Sequence, residues 1–155
     1  MRLLAELGAD PLLPNADKTT PLMAAAGVGT YSPGEDPGTE AETLEAVKVA
    51  VELGGDVNAV DDNGETVIHA AAYKEVPSVA QFLIDKGARV EVWNTKNKTG
   101  WTPLRISDGV LRGGAAVRSS AAMSATLRKT MSAAGVSTVV EPDIVRAGHP
   151  IKSEQ

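Results

Sequence analysis

The sequence predicts an all-α solenoid, in which helix-turn-helix units stack side by side. Two recurring motifs predict this fold class. The first appears as ELGADPL, ELGGDVNAV and DKGARVEVW, and 33 residues separate its glycines Gly54 and Gly87. The second begins with threonine and appears as TPLMAAA, TVIHAAA and TPLRISD. Each motif has the composition of one end of a helix, so every repeat is expected to contribute a pair of helices.

The threonine motif predicts where the first helix of each unit begins. The hydroxyls of Thr20, Thr66 and Thr102 can accept hydrogen bonds from the free amides of a first helical turn. Pro21 and Pro103 follow two of these threonines, at a position where no amide hydrogen is needed. The alanines that come next are small enough to let neighbouring inner helices approach closely.

The second helix of each unit has an amphipathic pattern and a glycine at its end. Its apolar residues recur at helical spacing, and they are Leu44, Val47 and Val51 in one unit and Val79, Phe82 and Leu83 in the next. Gly54 and Gly87 are expected to end these helices in a left-handed conformation. The DDNG sequence then predicts the turn of the next hairpin.

Together these motifs resemble the ankyrin repeat. The central copy, DDNGETVIHAAA to VAQFLIDKGARV, carries nearly every element, and the resemblance extends over roughly residues 3–135. The chain is similar to the ankyrin arrays of bacterial proteins and looks like the C-terminal portion of a longer array. The resemblance implies an ankyrin-repeat α-solenoid with short β-hairpin loops and a role in binding.

The resemblance also predicts the domain organisation. An ankyrin-repeat domain spans residues 1–135, with a half repeat at 1–14 and repeats at about 15–60, 61–93 and 94–135. A tail at 136–155 is expected to be partly extended or disordered. A long insertion, Thr30–Glu42, accounts for the length of the first full repeat. Since the half repeat leaves Leu3, Leu4 and Leu7 without a covering unit, these leucines predict an end-to-end homodimer or further repeats upstream.

Composition excludes several classes of function. The net charge of −5 argues against nucleic acid as a partner, because phosphate binding needs a basic face. No apolar run approaches the length of about 18 residues that a membrane helix needs, which argues against membrane insertion. The compartment is not determined by the sequence, although a cytoplasmic location is favoured unless a signal peptide lies upstream of Met1.

His69 is the one residue in the repeats that invites a catalytic interpretation. It falls where ankyrin repeats carry histidine, which implies a scaffold role in which the imidazole bonds neighbouring hairpins. No nucleophile or carboxylate lies at a spacing from His69 along the chain that would indicate a catalytic arrangement. The acidic run Asp56–Glu65 does not match a calcium-binding EF-hand loop, which needs glycine at its sixth place and glutamate at its twelfth, because counted from Asp56 those places hold Asp61 and Val67. We therefore predict no enzymatic activity, no cofactor and no metal.

The resemblance places partner binding in a concave groove between the hairpin tips and the inner helices. The corresponding positions in this chain are Asp17, Thr19, Asp62, Asn63, Glu65, Tyr73, Lys74, Lys98, Thr99 and Trp101. Trp101 is either an outward interface anchor or a packing partner of Trp93 in an enlarged loop. Acidic residues, including Asp62 and Glu65, would give the groove a negative rim.

These expectations lead to one functional prediction and one alternative. The predicted function is a non-enzymatic protein–protein interaction module whose partner is another protein. The alternative is a structural spacer or capping domain attached to a catalytic domain in a longer parent protein.

Overall fold

The computed structural model describes residues 1–29, 38–112, 115–116 and 119–140, with the side chains of 111–116 left aside. Within these ranges the chain forms eight helices and one short antiparallel pair of strands. They are α1 (Arg2–Glu6), α2 (Pro21–Ala26), α3 (Glu40–Glu52), α4 (Val67–Tyr73), α5 (Pro77–Asp85), α6 (Val90–Trp93), α7 (Pro103–Ser107), β1 (Leu111–Arg112), β2 (Ala115–Ala116) and α8 (Ala121–Ala133). Most of the predicted insertion, and the tail after residue 140, lie outside the described residues.

The helices stack in two layers, as the predicted all-α solenoid requires. Helices α2, α4 and α7 form the inner layer, and α3, α5 and α8 form the outer layer. Each inner helix packs against the outer helix of its own unit and against the inner helix of the next. We refer to residues 15–60, 61–93 and 94–135 as the first, second and third units. One continuous apolar core, from Leu22 to Met131, runs through all three units.

The inner helices begin at the predicted threonines. Thr20, Thr66 and Thr102 have extended backbones, and each side chain accepts a hydrogen bond from the amide three residues later. These bonds satisfy amides that an uncapped helix leaves without a partner. The predicted helix starts are therefore confirmed at all three threonines.

The outer helices end in the predicted left-handed glycines. Gly54 has φ +97°, its amide donates to the carbonyl of Val51, and the amide of Gly55 donates to the carbonyl of Ala50, both at 3.0 Å. This pair of bonds defines the Schellman motif. The same pair recurs after α1 at Gly8, after α5 at Gly87 and after α8 at Gly135, so the half repeat and all three units end alike.

Three equivalent turns connect the units on one edge of the solenoid. They begin at Asn15, Asp61 and Asn97, and in each the side-chain Oδ1 accepts hydrogen bonds from the amides two and four residues later at 2.8–3.0 Å. Backbone bonds also join neighbouring turns, because the amide of Asp62 donates to the carbonyl of Asp17 and that of Lys98 donates to Asn63. The turn tips therefore form one continuous row.

Two short elements differ from the sequence expectation. The enlarged loop that is predicted to hold Trp93 and Trp101 begins within helix α6, a helix that the sequence does not predict. The glycine-rich break after α7 contains the strands β1 and β2, paired antiparallel. Both elements are too short to show a periodic pattern in the sequence.

Candidate protein-binding surface

His69 is a buried support for the neighbouring turn. Its Nε2 lies 3.1 Å from the carbonyl oxygen of Thr95 and 3.3 Å from that of Trp101. Its Nδ1 accepts from the amide of Thr66 at 3.3 Å and lies 2.9 Å from the hydroxyl of the same threonine. Because two carbonyls flank Nε2, that nitrogen carries the proton of a neutral imidazole. The predicted scaffold role is confirmed by these bonds between units.

The surroundings of His69 disfavour its charged form. Burial lowers the pKa of the imidazole from 6.5 to about 4, and the two carbonyls and Asp61 only partly oppose this effect. An imidazolium would also direct a second N–H toward the amide of Thr66, which is itself a donor. His69 therefore stays neutral near pH 7.

Five of the ten predicted contact residues are exposed at the turn tips. They are Asp17, Asp62, Asn63, Lys98 and Thr99. The backbone bonds that join neighbouring turns hold these side chains in a row about three turns long. This row gives the predicted groove an exposed edge with a rigid backbone.

Glu65 is not exposed, and the expectation that it points outward is wrong. Its side chain is only 7% exposed, because Oε1 accepts from Nδ2 of Asn97 at 2.8 Å in the next unit. Tyr73 is half-buried, and its hydroxyl lies 3.4 Å from Oε1 of Glu65 and 3.1 Å from Nδ2 of Asn97. These three side chains form a buried polar cluster beneath the turns. Asn97 was not among the predicted residues, although it occupies the same turn position as Asp61.

The remaining predicted residues lie between the tips and the core. Thr19, Lys74 and Trp101 are half-buried, and Trp101 packs against the core cluster. Trp93 is fully buried in that cluster. Trp101 is therefore a partly accessible aromatic side chain with a fixed backbone, since its amide donates to Oδ1 of Asn97 at 3.0 Å.

The predicted negative rim is weaker than the sequence indicates. Lys18 donates to Oδ1 of Asp62 across the unit boundary at 2.7 Å. This contact raises the pKa of Lys18, first through the hydrogen bond and then through the charge of Asp62. Since Glu65 is buried, Asp17 is the one acidic residue of the predicted set, within the described chain, that is exposed without an ion pair in the structure.

The third unit ends in a polar contact between its two helices. Arg128 donates to both carboxylate oxygens of Asp108, at 2.9 and 2.6 Å, and Ser124 donates to the same carboxylate at 2.8 Å. Partial burial of Asp108 raises its pKa, but the bonds from Arg128 and Ser124 outweigh burial and hold the pKa below its usual value. This contact fastens α7 to α8 and presents no reactive group.

The described residues show neither of two other kinds of site. In these ranges no three histidine, aspartate or glutamate side chains lie close enough together to hold a metal ion. None of the helices described above is long and apolar enough to cross a membrane.

The stacked helix pairs and the row of turn tips define an α-solenoid of the ankyrin class. Residues 39–107 match the family model for ankyrin repeats (3 copies). This segment of the chain therefore consists of ankyrin repeats, and repeats of this family generally mediate binding between proteins.

Several curated proteins share this repeat segment. Protein fem-1 homolog A of Bos taurus is 32% identical over 85 residues, which is 55% of this chain and 13% of that protein. A putative ankyrin repeat protein of fowlpox virus is 36% identical over 55 residues, or 36% of this chain and 13% of that protein. BRCA1-associated RING domain protein 1 of Caenorhabditis elegans is 36% identical over 61 residues, or 39% of this chain and 9% of that protein. The chain therefore spans only about a tenth of the length of these relatives, and the predicted bacterial origin stays a prediction.

Proposed function

We propose that the chain is a non-enzymatic protein-interaction module that contacts its partner through the turn tips and Trp101. The observation that carries this proposal is the continuous row of exposed tips, joined by backbone bonds between units. A rigid row loses little conformational freedom on binding, which favours affinity. Trp101 adds a partly accessible aromatic surface of the kind that dominates binding energies. Solenoids of this kind commonly use such an extended surface for recognition.

The turn tips can be tested with matched sets of alanine substitutions. We expect the triple variant Asp17→Ala, Asn63→Ala and Lys98→Ala, with one change in each turn, to weaken binding about tenfold or more. Immobilised protein would capture partners from an extract of the source organism, and the affinity of the captured partner would then be measured with purified proteins.

The outer helices provide the control for this experiment. The variant Glu45→Ala, Gln81→Ala and Lys129→Ala removes the same three kinds of side chain from α3, α5 and α8, where all three are exposed. It is expected to leave the affinity within about twofold of the original, as surface changes outside an interface usually do. Equal affinities of the two triple variants would contradict binding through the turn tips, whereas capture of no specific partner would favour the spacer role.

We further propose that the exposed leucines at the first end of the solenoid pair two copies end to end. Leu3, Leu4 and Leu7 are 65%, 60% and 75% exposed, and none of the residues of α1 is buried. A patch of this kind favours association because covering it removes apolar surface from water.

Light scattering over a range of concentrations tests this association. We expect a dimer that becomes a monomer in the variant Leu3→Ser and Leu7→Ser. Val139, which is 83% exposed at the other end of the described chain, supplies the control Val139→Ser. A monomer at concentrations near 1 mM would remove the proposal, since that concentration corresponds to a binding free energy of only about 4 kcal/mol.

A further inference from the structure

Charge is divided sharply along this solenoid. Residues 1–85 contain 15 acidic and four basic side chains, whereas residues 86–140 contain two acidic and nine basic ones. These counts correspond to formal charges of −11 and +7, which the overall value of −5 conceals. Because a solenoid stacks its units in chain order, a division along the sequence is also a division in space. The third unit and the segment that leads into it therefore form a positive end on an acidic array.

The change of sign occurs at structurally equivalent positions. Asp10, Asp56 and Arg89 each stand two residues after the glycine that ends an outer helix. Asp62 and Lys98 occupy the same place in successive turns, since both amides donate to the carbonyl of the preceding turn, at 2.8 and 2.9 Å. At both positions an aspartate of an earlier unit is replaced by a basic residue.

The fold does not account for arginine at position 89. Asp10 and Asp56 each accept a hydrogen bond through Oδ1 from the amide two residues later, at 2.8 Å. Arg89 stands at the N-cap of α6 and makes no capping hydrogen bond with its side chain. An aspartate at position 89 could cap that helix. The arginine therefore lacks the side-chain hydrogen bond that Asp10 and Asp56 make. The side chain of Arg89 is instead exposed at the surface.

Four basic side chains in this region are exposed, at Lys86, Arg89, Lys96 and Lys98, and we give the name cationic edge to Lys86, Arg89 and Lys98. They lie within 13 consecutive residues, at the end of α5 and in the turn that follows. The ammonium of Lys86 lies 5.6 Å from the centre of the Phe82 ring. The carboxylate of Glu91 lies 3.8 Å from Arg89, with both side chains well exposed. An exposed pair at that distance contributes little.

We propose that the cationic edge binds an acidic segment of the partner polypeptide. This inference rests on the proposed function and adds the chemistry of the partner at one end of the row of tips. Carboxylates of such a segment can accept hydrogen bonds from Arg89 and pair with the two lysines. Opposite charges of this kind chiefly determine the specificity and the rate of association.

A short acidic segment fits the charge distribution better than two other occupants. Charges interact over about 8 Å at physiological salt, so a short segment that binds Lys86, Arg89 and Lys98 interacts mainly with these three charges and only weakly with more distant carboxylates. A nucleic-acid duplex longer than one unit would extend its phosphates along the acidic part of the array. A second copy of this chain is proposed above to pair through Leu3, Leu4 and Leu7, which lie in the acidic part of the array and not at the cationic edge.

The test uses a fluorescently labelled peptide of eight glutamates and the full chain. Its binding would be followed by fluorescence anisotropy at about 0.05 and about 0.15 M NaCl, where screening differs. The variant Arg89→Asp with Lys98→Asp introduces the aspartates found at the equivalent positions of preceding units, Asp56 and Asp62. We expect it to fold, to weaken peptide binding about tenfold or more, and to abolish most of the salt dependence.

A second variant separates local charge from net charge. Arg2→Asp with Lys48→Asp makes the same change in net charge within the acidic part, and it is expected to change peptide affinity less than about twofold. Equal losses in the two variants would overturn the proposal. So would absence of peptide binding by the unaltered chain, or tighter binding of a DNA duplex of about 20 base pairs. Self-association that only the Arg89→Asp and Lys98→Asp variant loses would assign the edge to a second copy instead.

The outcome is separable from that of the proposed function. If the triple variant of the turn tips loses its captured partner while the glutamate peptide binds both double variants equally, the interaction module stands and the acidic segment does not.

Discussion

Replacing Trp93 by alanine is expected to lower the free energy of unfolding by about 3–5 kcal/mol. The indole is 1% exposed within the continuous core, and it lies in α6, which packs against the inner helix α4. Alanine would leave a cavity that the stacked helices can fill only in part. Urea denaturation followed by far-ultraviolet circular dichroism measures the change, because the helices of all three units contribute to that signal.

Phenylalanine at the same position provides the matched control. Nε1 of Trp93 is buried and has no hydrogen-bond partner among the described residues. Trp93→Phe therefore removes an uncompensated donor along with part of the ring, and we expect a loss of only about 1 kcal/mol. If the alanine and phenylalanine variants were equally stable, Trp93 would not be filling the core as described.

Acid is expected to destabilise the fold through His69 between pH 6.5 and about 4. The folded protein holds the pKa of this imidazole at about 4, whereas the ordinary value is 6.5. As the pH falls through this window, the unfolded chain takes up a proton that the folded protein does not. Stability is therefore complete above pH 6.5 and decreases on acidification, by about 3 kcal/mol at pH 4. Urea denaturation at a series of pH values measures this decrease.

Imidazole titration by NMR identifies the residue responsible. The chain contains two histidines, and the variant His149→Gln leaves the His69 signal alone in the spectrum. We expect that signal not to titrate above pH 5. The variant His69→Gln should have a flatter dependence of stability on pH between 6.5 and 4. Asp108, whose pKa is also lowered, acts below this window. Titration of His69 near pH 6.5 would contradict the buried neutral imidazole.

Local rules made the ends of the helices predictable. A threonine hydroxyl caps a helix through an amide three residues away, and a left-handed glycine ends one through amides of the same segment. Thr66 and Gly54 could therefore be assigned without knowing what packs against them. Helix α6 could not be predicted, since a helix of four residues is too short to show a periodic pattern in the sequence.

The surface was less predictable because its contacts join different units. Glu65 has the sequence context of an exposed turn residue, yet its position is decided by Asn97, 32 residues later. Asp62 is likewise paired by Lys18 from the preceding unit. Aligning the turns by their Asn or Asp at the first position would have revealed Asn97, but the sequence alone does not show which side chains meet across a unit boundary.

The backbone bonds between neighbouring turns have a consequence for how unfolding spreads through the molecule. Each turn is tied directly only to the turns on either side, as the amides of Asp62 and Lys98 show. Unfolding of a solenoid can therefore begin at an end and advance from one unit to the next. A partner bound across all three turns would hold the three units together. Binding is therefore expected to make the unfolding of the three units more cooperative.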